Sequence, residues 1–339
     1  MKVVFVDNKP VYAMNTEIQR AVCQSYGFEY VTLDCRSEEE VIEKCRDADA
    51  ILDVYFPLTP RIIQSLERCK VLVRFGIGYD CIDVEAATQK GIFVCNVPDY
   101  CIEEVATHTV ALILDLCRKT CFYHNEVQEG RWKNASGYPV HRLSTQTVGF
   151  WGFGHIARQA ARYLSAFGCR ILAHDPFLPD EVFAQQGVER VSLEALLASA
   201  DILSLHAPLT EQTHHQVNRE SIAKMKDGVM LVNTSRGPLI CEEDLLEGIA
   251  SGKITAAALD VVEFEPIQAP HYRLFTSGRI TVTPHAAFAS AESRVELLQK
   301  VAQSACAVLA GEFNDTTLRR IVNRQALRHQ INGQGGPTA

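Results

Sequence analysis

Short apolar runs alternate with segments of helical period from the first residue to about residue 290, and no other feature restricts the fold of this chain as strongly. Successive βαβ units building parallel sheets leave this pattern, so the expected class is α/β. In the first hundred residues strands are expected at Lys2–Asp7, Glu29–Leu33, Ala50–Val54, Val71–Phe75 and Phe93–Cys95. Helices are expected between them at Asn15–Tyr26, Ser37–Cys45, Thr59–Cys69 and Asp83–Lys90. The apolar-rich helix Ile102–Lys119, opened by Glu103-Glu104, is too long for a simple crossover and should carry the chain to a second domain. There six strands, Thr147–Trp151, Arg170–His174, Ile202–Leu205, Val229–Asn233, Thr255–Asp260 and Ile280–Thr283, fit one doubly wound sheet. A long helix, Ala291–Ala310, should return to the first domain, and the Gly-, Gln- and Pro-rich terminus reads as a mobile tail. A length of 339 residues suits two domains.

Composition excludes several classes of partner. The net charge is −8, and the 33 Lys and Arg are scattered, so neither a nucleic acid nor an anionic membrane is an expected partner. The N-terminal apolar run is too short for a signal peptide, and nowhere do eighteen apolar residues follow one another. The twelve cysteines lie at irregular spacings without Cys-x-x-Cys, as reduced thiols in a cytoplasmic protein would. Cys117, Cys121 and His124 fall short of the four spaced ligands of a closed zinc site, and His214-His215 is a bare adjacent pair, so no metal is expected.

The strand Thr147–Trp151 runs into Gly152-Phe153-Gly154-His155-Ile156-Ala157 and then a helix, which places G-x-G-x-x-A at a strand-to-helix turn. The first glycine permits the tight turn, the second lets backbone N–H groups approach a pyrophosphate, and a small third residue lets helix pack on strand. At the end of the next strand stands Asp175, a carboxylate able to accept hydrogen bonds from an adenosine ribose. It would repel a 2′-phosphate, and Pro176-Phe177 supply no Arg to neutralise one, so the expected cofactor is NAD.

Three later segments end strands of the second sheet: Val232-Asn233-Thr234-Ser235-Arg236-Gly237, Ala258-Leu259-Asp260 through Glu263-Phe264-Glu265-Pro266, and Thr283-Pro284-His285-Ala286-Ala287-Phe288. Ligands in open α/β sheets bind beyond the carboxyl ends of strands, so all three should meet at one crevice. Alone, Asp260 could be a turn residue, Glu265 a solvated loop charge and His285 a satisfied histidine. Together they are no longer ambiguous.

In order and wording these segments resemble the D-isomer-specific 2-hydroxyacid dehydrogenase family, and the similarity extends to Arg74-Phe75-Gly76-Ile77-Gly78-Tyr79-Asp80, Val94-Cys95-Asn96-Val97-Pro98 and His206-Ala207-Pro208-Leu209-Thr210. The resemblance implies two Rossmann-like, doubly wound parallel-sheet domains, the cofactor domain being inserted in a split substrate domain. The implied boundaries are 1–101 with 297–325 for the substrate domain, 102–296 for the NAD domain and 326–339 for the tail, with an active site in the cleft and a homodimer. It implies Arg236, Glu265 and His285 as the catalytic set. Oxidising a 2-hydroxy acid removes a hydroxyl proton as hydride leaves carbon, and His285 would supply the base. Glu265 would fix the ring's tautomer and favour the imidazolium, and Arg236 would hold substrate carboxylate and carbonyl oxygen with a fork Lys lacks.

By the same likeness Gly76, Ile77 and Gly78 bind the substrate carboxylate through backbone N–H groups. Gly152, Phe153, Gly154, His155, Ile156, Asp175, His206, Ala207, Pro208, Thr234, Ser235, Arg236, Asp260 and His285 would line the cofactor, Asp260 at the nicotinamide carboxamide. Within the family the chain most resembles the C-terminal-binding-protein-like and phosphoglycerate-dehydrogenase-like group, whose members include metabolic enzymes and corepressors. There a second aromatic commonly follows the one matching Phe288, whereas here Ala289 stands in its place and implies a roomier pocket. Arg74 resembles a substrate-contacting Arg and would suit an extra acidic group; its other reading is a surface ion pair at a strand end. Tyr55, Phe56 and Tyr100 are further candidates beside it. Phosphoglycerate, hydroxypyruvate and longer D-2-hydroxy acids are the substrates the likeness implies. Two alternatives stand beside it: an NADH-sensing interaction protein and a phosphite-oxidising relative.

Overall fold

Five of the expected apolar runs form β1 (Lys2–Phe5), β2 (Glu29–Thr32), β3 (Ala50–Asp53), β4 (Val71–Arg74) and β5 (Phe93–Cys95), all parallel, in the order β2-β1-β3-β4-β5. The computed structural model describes residues 1–8, 15–135, 137–267 and 278–333. The chain divides into two compact units, Met1–Tyr100 with Ser290–Ala339, and Cys101–Ala289.

In the first unit β3 and β4 are buried at every position because helices cover the sheet, and Val4, Ile51, Leu72 and Val94 join Val41, Ile62, Ile63 and Ala87 in one core. The helices start where short polar residues cap them: Ser37 accepts from Glu40 N–H, Thr59 from Ile62 N–H and Asp83 from Ala86 N–H. Each such cap stabilises its helix by about 1 kcal/mol. The helix after Thr59 ends at Ser65, short of the expected Cys69, because Leu66 is already extended.

The return of the chain at Ser290 completes this unit. Ser290 and Ser293 form a capping box that opens the helix Ala291–Ala310, and the Cys306 thiol lies 3.8 Å from the Cys23 thiol of the helix Thr16–Ser25. Beyond it Ile321 bridges Cys95, and the Asn323 side chain accepts the Val94 N–H and donates to the Ile92 carbonyl. The expected tail is corrected in part: Arg328–Gly333 is helical, because Leu327 and Ile331, four residues apart, are both buried. Residues 334–339 lie outside the described residues.

The second unit holds β6 (Thr147–Trp151), β7 (Arg170–His174), β8 (Glu189–Arg190), β9 (Ile202–Leu205), β10 (Val229–Asn233), β11 (Ile254–Leu259) and β12 (Ile280–Val282). They are parallel, in the order β12-β11-β10-β9-β6-β7-β8, so the order reverses between β6 and β9. Among the described residues the sheet thus has seven strands where six were expected. The extra edge strand β8 is two exposed charged residues, which carry no apolar run to reveal them. The helix Ile102–Arg118 lies in this unit and buries Ala106, Val110 and Ile113 in the core that holds Phe150, Ala157 and Ala160. Among the described residues no helix is long and apolar enough to cross a membrane, and no group of three or more His, Cys, Asp or Glu is arranged to hold a metal. All twelve cysteines are free thiols.

In the first sheet the order reverses between β1 and β3, and two buried acids stand there. Asp7 accepts from the Val54 and Tyr55 N–H groups, and Asp53 from Phe56 N–H and the Cys81 thiol. Burial first, and the neighbouring Asp7 carboxylate second, push Asp53 well above the usual carboxylate range. The folded chain therefore keeps a proton that the unfolded chain loses above about pH 4. Stability must fall as pH rises from there toward the folded-state pKa. Asp53→Asn removes this contribution, so thermal unfolding across pH 4.5–8 (roughly the range above the unfolded pKa) should show the variant gaining on wild type as pH rises. A gap independent of pH would refute the assignment.

Candidate active site

The nucleotide side of the second unit is built on the turn after β6. Gly152 has φ +91, and a Cβ there would stand 2.7 Å from the His206 carbonyl, so only glycine lets this turn lie against the end of β9. Gly154 is the N-cap of the helix His155–Ser165, and a Cβ there would meet nothing within 4 Å. The N–H groups of Gly154, His155 and Ile156 bond to no described residue, as an anion-binding terminus requires. Ala157 is buried and lets the helix close on the sheet. His155 is exposed at the first helical position, and partial burial, then Arg158, shift its imidazole toward the neutral form.

Asp175 follows β7, and its carboxylate accepts the N–H of Phe153 at 2.9 Å and of Phe177 at 3.0 Å, which aims it beside the glycine turn. The Phe153 ring is wholly buried, stacked on Phe183 with centroids 5.0 Å apart, so this residue serves the turn through its backbone. A cavity of about 450 Å³ opens beside Asp175, lined by His174, Pro176, Asp180, Arg190, Val191 and Ser192. Arg190 comes from β8, pairs with Asp180 and donates to the Asp175 carbonyl at 3.4 Å. The neighbours of Asp175 in sequence contain no Arg, yet the fold supplies this one. His206 turns its ring onto Phe150 and the Ser204 hydroxyl, and enclosure lowers its pKa to about 3. It is neutral, and its backbone is the part that borders Gly152; Ala207 is buried and Pro208 exposed beyond it. Together the glycine turn, the open helix terminus and the aimed Asp175 carboxylate fit a dinucleotide.

The other side is made by the turns after β10, β11 and β12. The Asn233 side chain donates to the Arg236 carbonyl and accepts Ser235 N–H, while the Ser235 hydroxyl donates to the Leu205 carbonyl. These bonds shape the turn that presents the half-buried Arg236, whose Nη1 donates to the Ser235 carbonyl. A Cβ on Gly237 would fall 1.8 Å from the Val262 carbonyl oxygen, so the Arg236 turn and the Val262–Glu265 segment touch backbone to backbone. That segment is held by Glu242, which accepts Glu263 N–H at 2.7 Å, and by His215, 2.7 Å from the Glu263 carboxylate.

His285 sits at φ +51, a left-handed conformation that L side chains avoid, and its N–H donates to the carbonyls of Asp260 and Thr283. Asp260 is 2% exposed and accepts the Thr283 hydroxyl, Ala286 N–H and Ala287 N–H. Its carboxylate is therefore committed largely to building the histidine turn. The ring Nδ1 lies 2.6 Å from Glu265 Oε2, and because a carboxylate only accepts, Nδ1 carries the proton. Phe288 stands edge-on to the ring, centroids 6.4 Å apart.

In the first unit the loop after β4 carries the remaining candidates. The Gly76 and Ile77 carbonyls accept from Val97 N–H and the Asn96 side chain, while the N–H groups of Ile77 and Gly78 bond to no described residue. Arg74 is not a surface ion pair: it is 6% exposed, its guanidinium lies 5.2 Å from the Tyr55 ring centroid, and it fills the space that a Gly76 Cβ would need. Its Nε is buried and bonds to no described residue. Tyr100 is buried next to it, its hydroxyl 3.6 Å from that same point.

Two glycines should respond in opposite ways to an added methyl. Gly154→Ala meets open space and should leave stability within about 0.5 kcal/mol while weakening NADH binding, read by fluorescence titration. Gly237→Ala forces two backbones apart and should cost at least about 2 kcal/mol in denaturant unfolding. Equal effects of the two on stability would contradict this geometry.

Residues 110–287 match the family model described as D-isomer specific 2-hydroxyacid dehydrogenase, NAD binding domain. A hydroxypyruvate reductase of Blautia hydrogenotrophica is 37% identical over 268 residues, covering 77% of this chain and 82% of the relative. The crystal structure of a glyoxylate reductase from Paecilomyes thermophila superposes with a TM-score of 0.85 at 28% identity, covering 96% of this chain and 99% of that one. D-lactate dehydrogenase from Aquifex aeolicus, in complex with NAD and lactic acid, gives 0.83 at 26% identity, covering 95% and 99%. The chain belongs to the D-isomer-specific 2-hydroxyacid dehydrogenase family and is an NAD-dependent oxidoreductase.

Proposed function

We propose that the protein interconverts a small D-2-hydroxy acid and its 2-oxo acid, with His285 as the acid–base group. The observation that carries this is the 2.6 Å bond from His285 Nδ1 to Glu265, made by a histidine locked in a left-handed turn. When bound, NAD would supply the hydride acceptor and NADH the donor; Gly152, Gly154 and Asp175 would hold the cofactor, and Phe153, His155, Ile156, His206, Ala207, Pro208, Thr234 and Ser235 would border it. With Nδ1–H committed to Glu265, proton exchange with the substrate falls to Nε2. On oxidation Nε2 takes the hydroxyl proton; on reduction the imidazolium returns it to the carbonyl oxygen. Glu265 balances the charge that the ring carries between these states.

Arg236 presents a planar fork to the substrate carboxylate and carbonyl oxygen. The N–H groups of Ile77 and Gly78, beside Gly76, are proposed to receive the carboxylate as well. Arg74 is a buried guanidinium with a ring for its neighbour, and it suits a substrate with a further polar or anionic group. Hydroxypyruvate and glyoxylate fit this reading, as the names of the similar reductases suggest, and a phosphoglycerate-type acid would use Arg74 fully. We also propose a homodimer, supported by the exposed Val127, Trp132 and Val140 of the second unit.

NADH consumption should be followed with hydroxypyruvate, glyoxylate, pyruvate, phenylpyruvate and 2-oxoglutarate, and NAD reduction with phosphite. Turnover of a 2-oxo acid is expected, with His285→Ala lowering kcat by about three orders of magnitude and Arg236→Lys lowering kcat/KM by about a hundredfold. Tight NADH binding without turnover would instead favour the interaction protein, and phosphite oxidation the other relative. Light scattering on wild type and Trp132→Glu checks the dimer, which the variant should weaken.

A further inference from the structure

Two consecutive residues of the helix Ile102–Arg118 reach the two turns that carry Arg236 and His285. Thr109 is wholly buried, and its hydroxyl lies 2.8 Å from both the Val105 carbonyl and the Thr234 hydroxyl. A carbonyl can only accept, so the single Thr109 proton goes to Val105 and the Thr234 hydroxyl donates to Thr109. Thr234 lies two residues before Arg236. His108 Nε2 lies 3.0 Å from the Thr283 hydroxyl, which spends its own proton on Asp260 Oδ1 at 2.5 Å. Thr283 must then accept, and His108 carries its proton on Nε2. The chain runs in one direction: His108 to Thr283 to Asp260, the carboxylate that holds Ala286 and Ala287 N–H beyond His285. Two turns further along the same helix, Asp115 accepts the Thr281 hydroxyl at 2.9 Å.

We propose that His108 and Thr109 are positioning residues which index the Arg236 turn and the His285 turn to one rigid helix. The helix is seated independently of these bonds, since Ala106, Val110, Leu112, Ile113 and Leu116 bury its apolar face. Its polar contacts to Thr234 and Thr283 add aim to that seating: they set where two groups, carried by the turns after β10 and β12, strands separated in the sheet by β11, stand relative to each other. Positional errors well below an ångström matter at a reacting centre, and no bond between the Arg236 and His285 turns themselves is needed if both are referred to one element. The inference rests on the roles proposed for Arg236 and His285.

Paired variants separate aim from mere stability. His108→Phe and Thr109→Val remove the polar atom, whereas His108→Gln and Thr109→Ser keep a donor or hydroxyl in place. The removals should lower kcat about tenfold or more, with KM and the NADH dissociation constant moving less than about threefold. The conservative variants should recover most of the lost rate. Hydrogen–deuterium exchange of residues 283–288 should quicken in His108→Phe and recover in His108→Gln, a reading that needs no turnover. If wild type turns over no 2-oxo acid, the exchange arm still tests the positioning while the functional reading fails alone. Unchanged kcat and exchange in both removals overturns the inference, as does a loss of NADH affinity as large as the loss of kcat.

Discussion

The turns that carry Arg236, Glu265 and His285 meet at one buried carboxylate. Asp260 follows β11, is almost wholly removed from water, and accepts hydrogen bonds from Thr283, Ala286 and Ala287. A left-handed histidine costs roughly 1–2 kcal/mol, and a strained residue persists only where its surroundings over-determine it. Here the surroundings are charge-assisted bonds to a carboxylate that would itself be destabilising if left unpaired. The same strand end continues into Val262, which touches Gly237, and on to Glu265, which bonds the histidine ring. One strand end thus joins the arginine turn, the acid and the histidine.

The two sheets use their carboxyl ends differently. At the reversal of the second sheet, between β6 and β9, a glycine turn and an open helix terminus leave room for an anion. At the reversal of the first, between β1 and β3, Asp7 and Asp53 close the position with backbone amides and a thiol. The same topology therefore yields one receptive switch point and one sealed by its own acids. Arg74, buried on the next strand, keeps an Nε that bonds to no described residue.

Most of this was legible in the sequence where a rule ties residue type to local backbone. Eleven of the strands announced themselves as apolar runs whose observed ends differ by at most two residues from those expected, and the helix Ala291–Ala310 matches end for end. The glycine turn and Asp175 were readable because their spacing is set by one βαβ unit. What escaped was non-local. β8 is two exposed charged residues, Arg190 reaches Asp175 only through that strand, and Glu242 meets Glu263 across two turns. His108 and Thr109 left a faint trace: Thr109 interrupts the apolar stripe of Val105, Ile113 and Leu116, and a polar residue in such a stripe must find a partner. No spacing rule says that the partner is Thr234. Arg74 was half legible, since its motif suggested the residue while only the structure shows it sheltered under Tyr55.

The split of the first unit has a consequence for how the chain comes to be folded. Residues 101–289 form a contiguous unit and can consolidate as soon as they leave the ribosome. The unit begun first is finished last: its sheet lacks the helix Ala291–Ala310, the Ile321 bridge to Cys95 and the Asn323 bonds to β5 until the final segment has been made. Closing that loop later costs little extra entropy, because the intervening chain is by then compact and the cost grows only slowly with length. In the interval the inner faces of β3 and β4 stay partly uncovered, so the order of synthesis makes the substrate-side unit, rather than the dinucleotide unit, the more exposed to misassociation in a nascent chain.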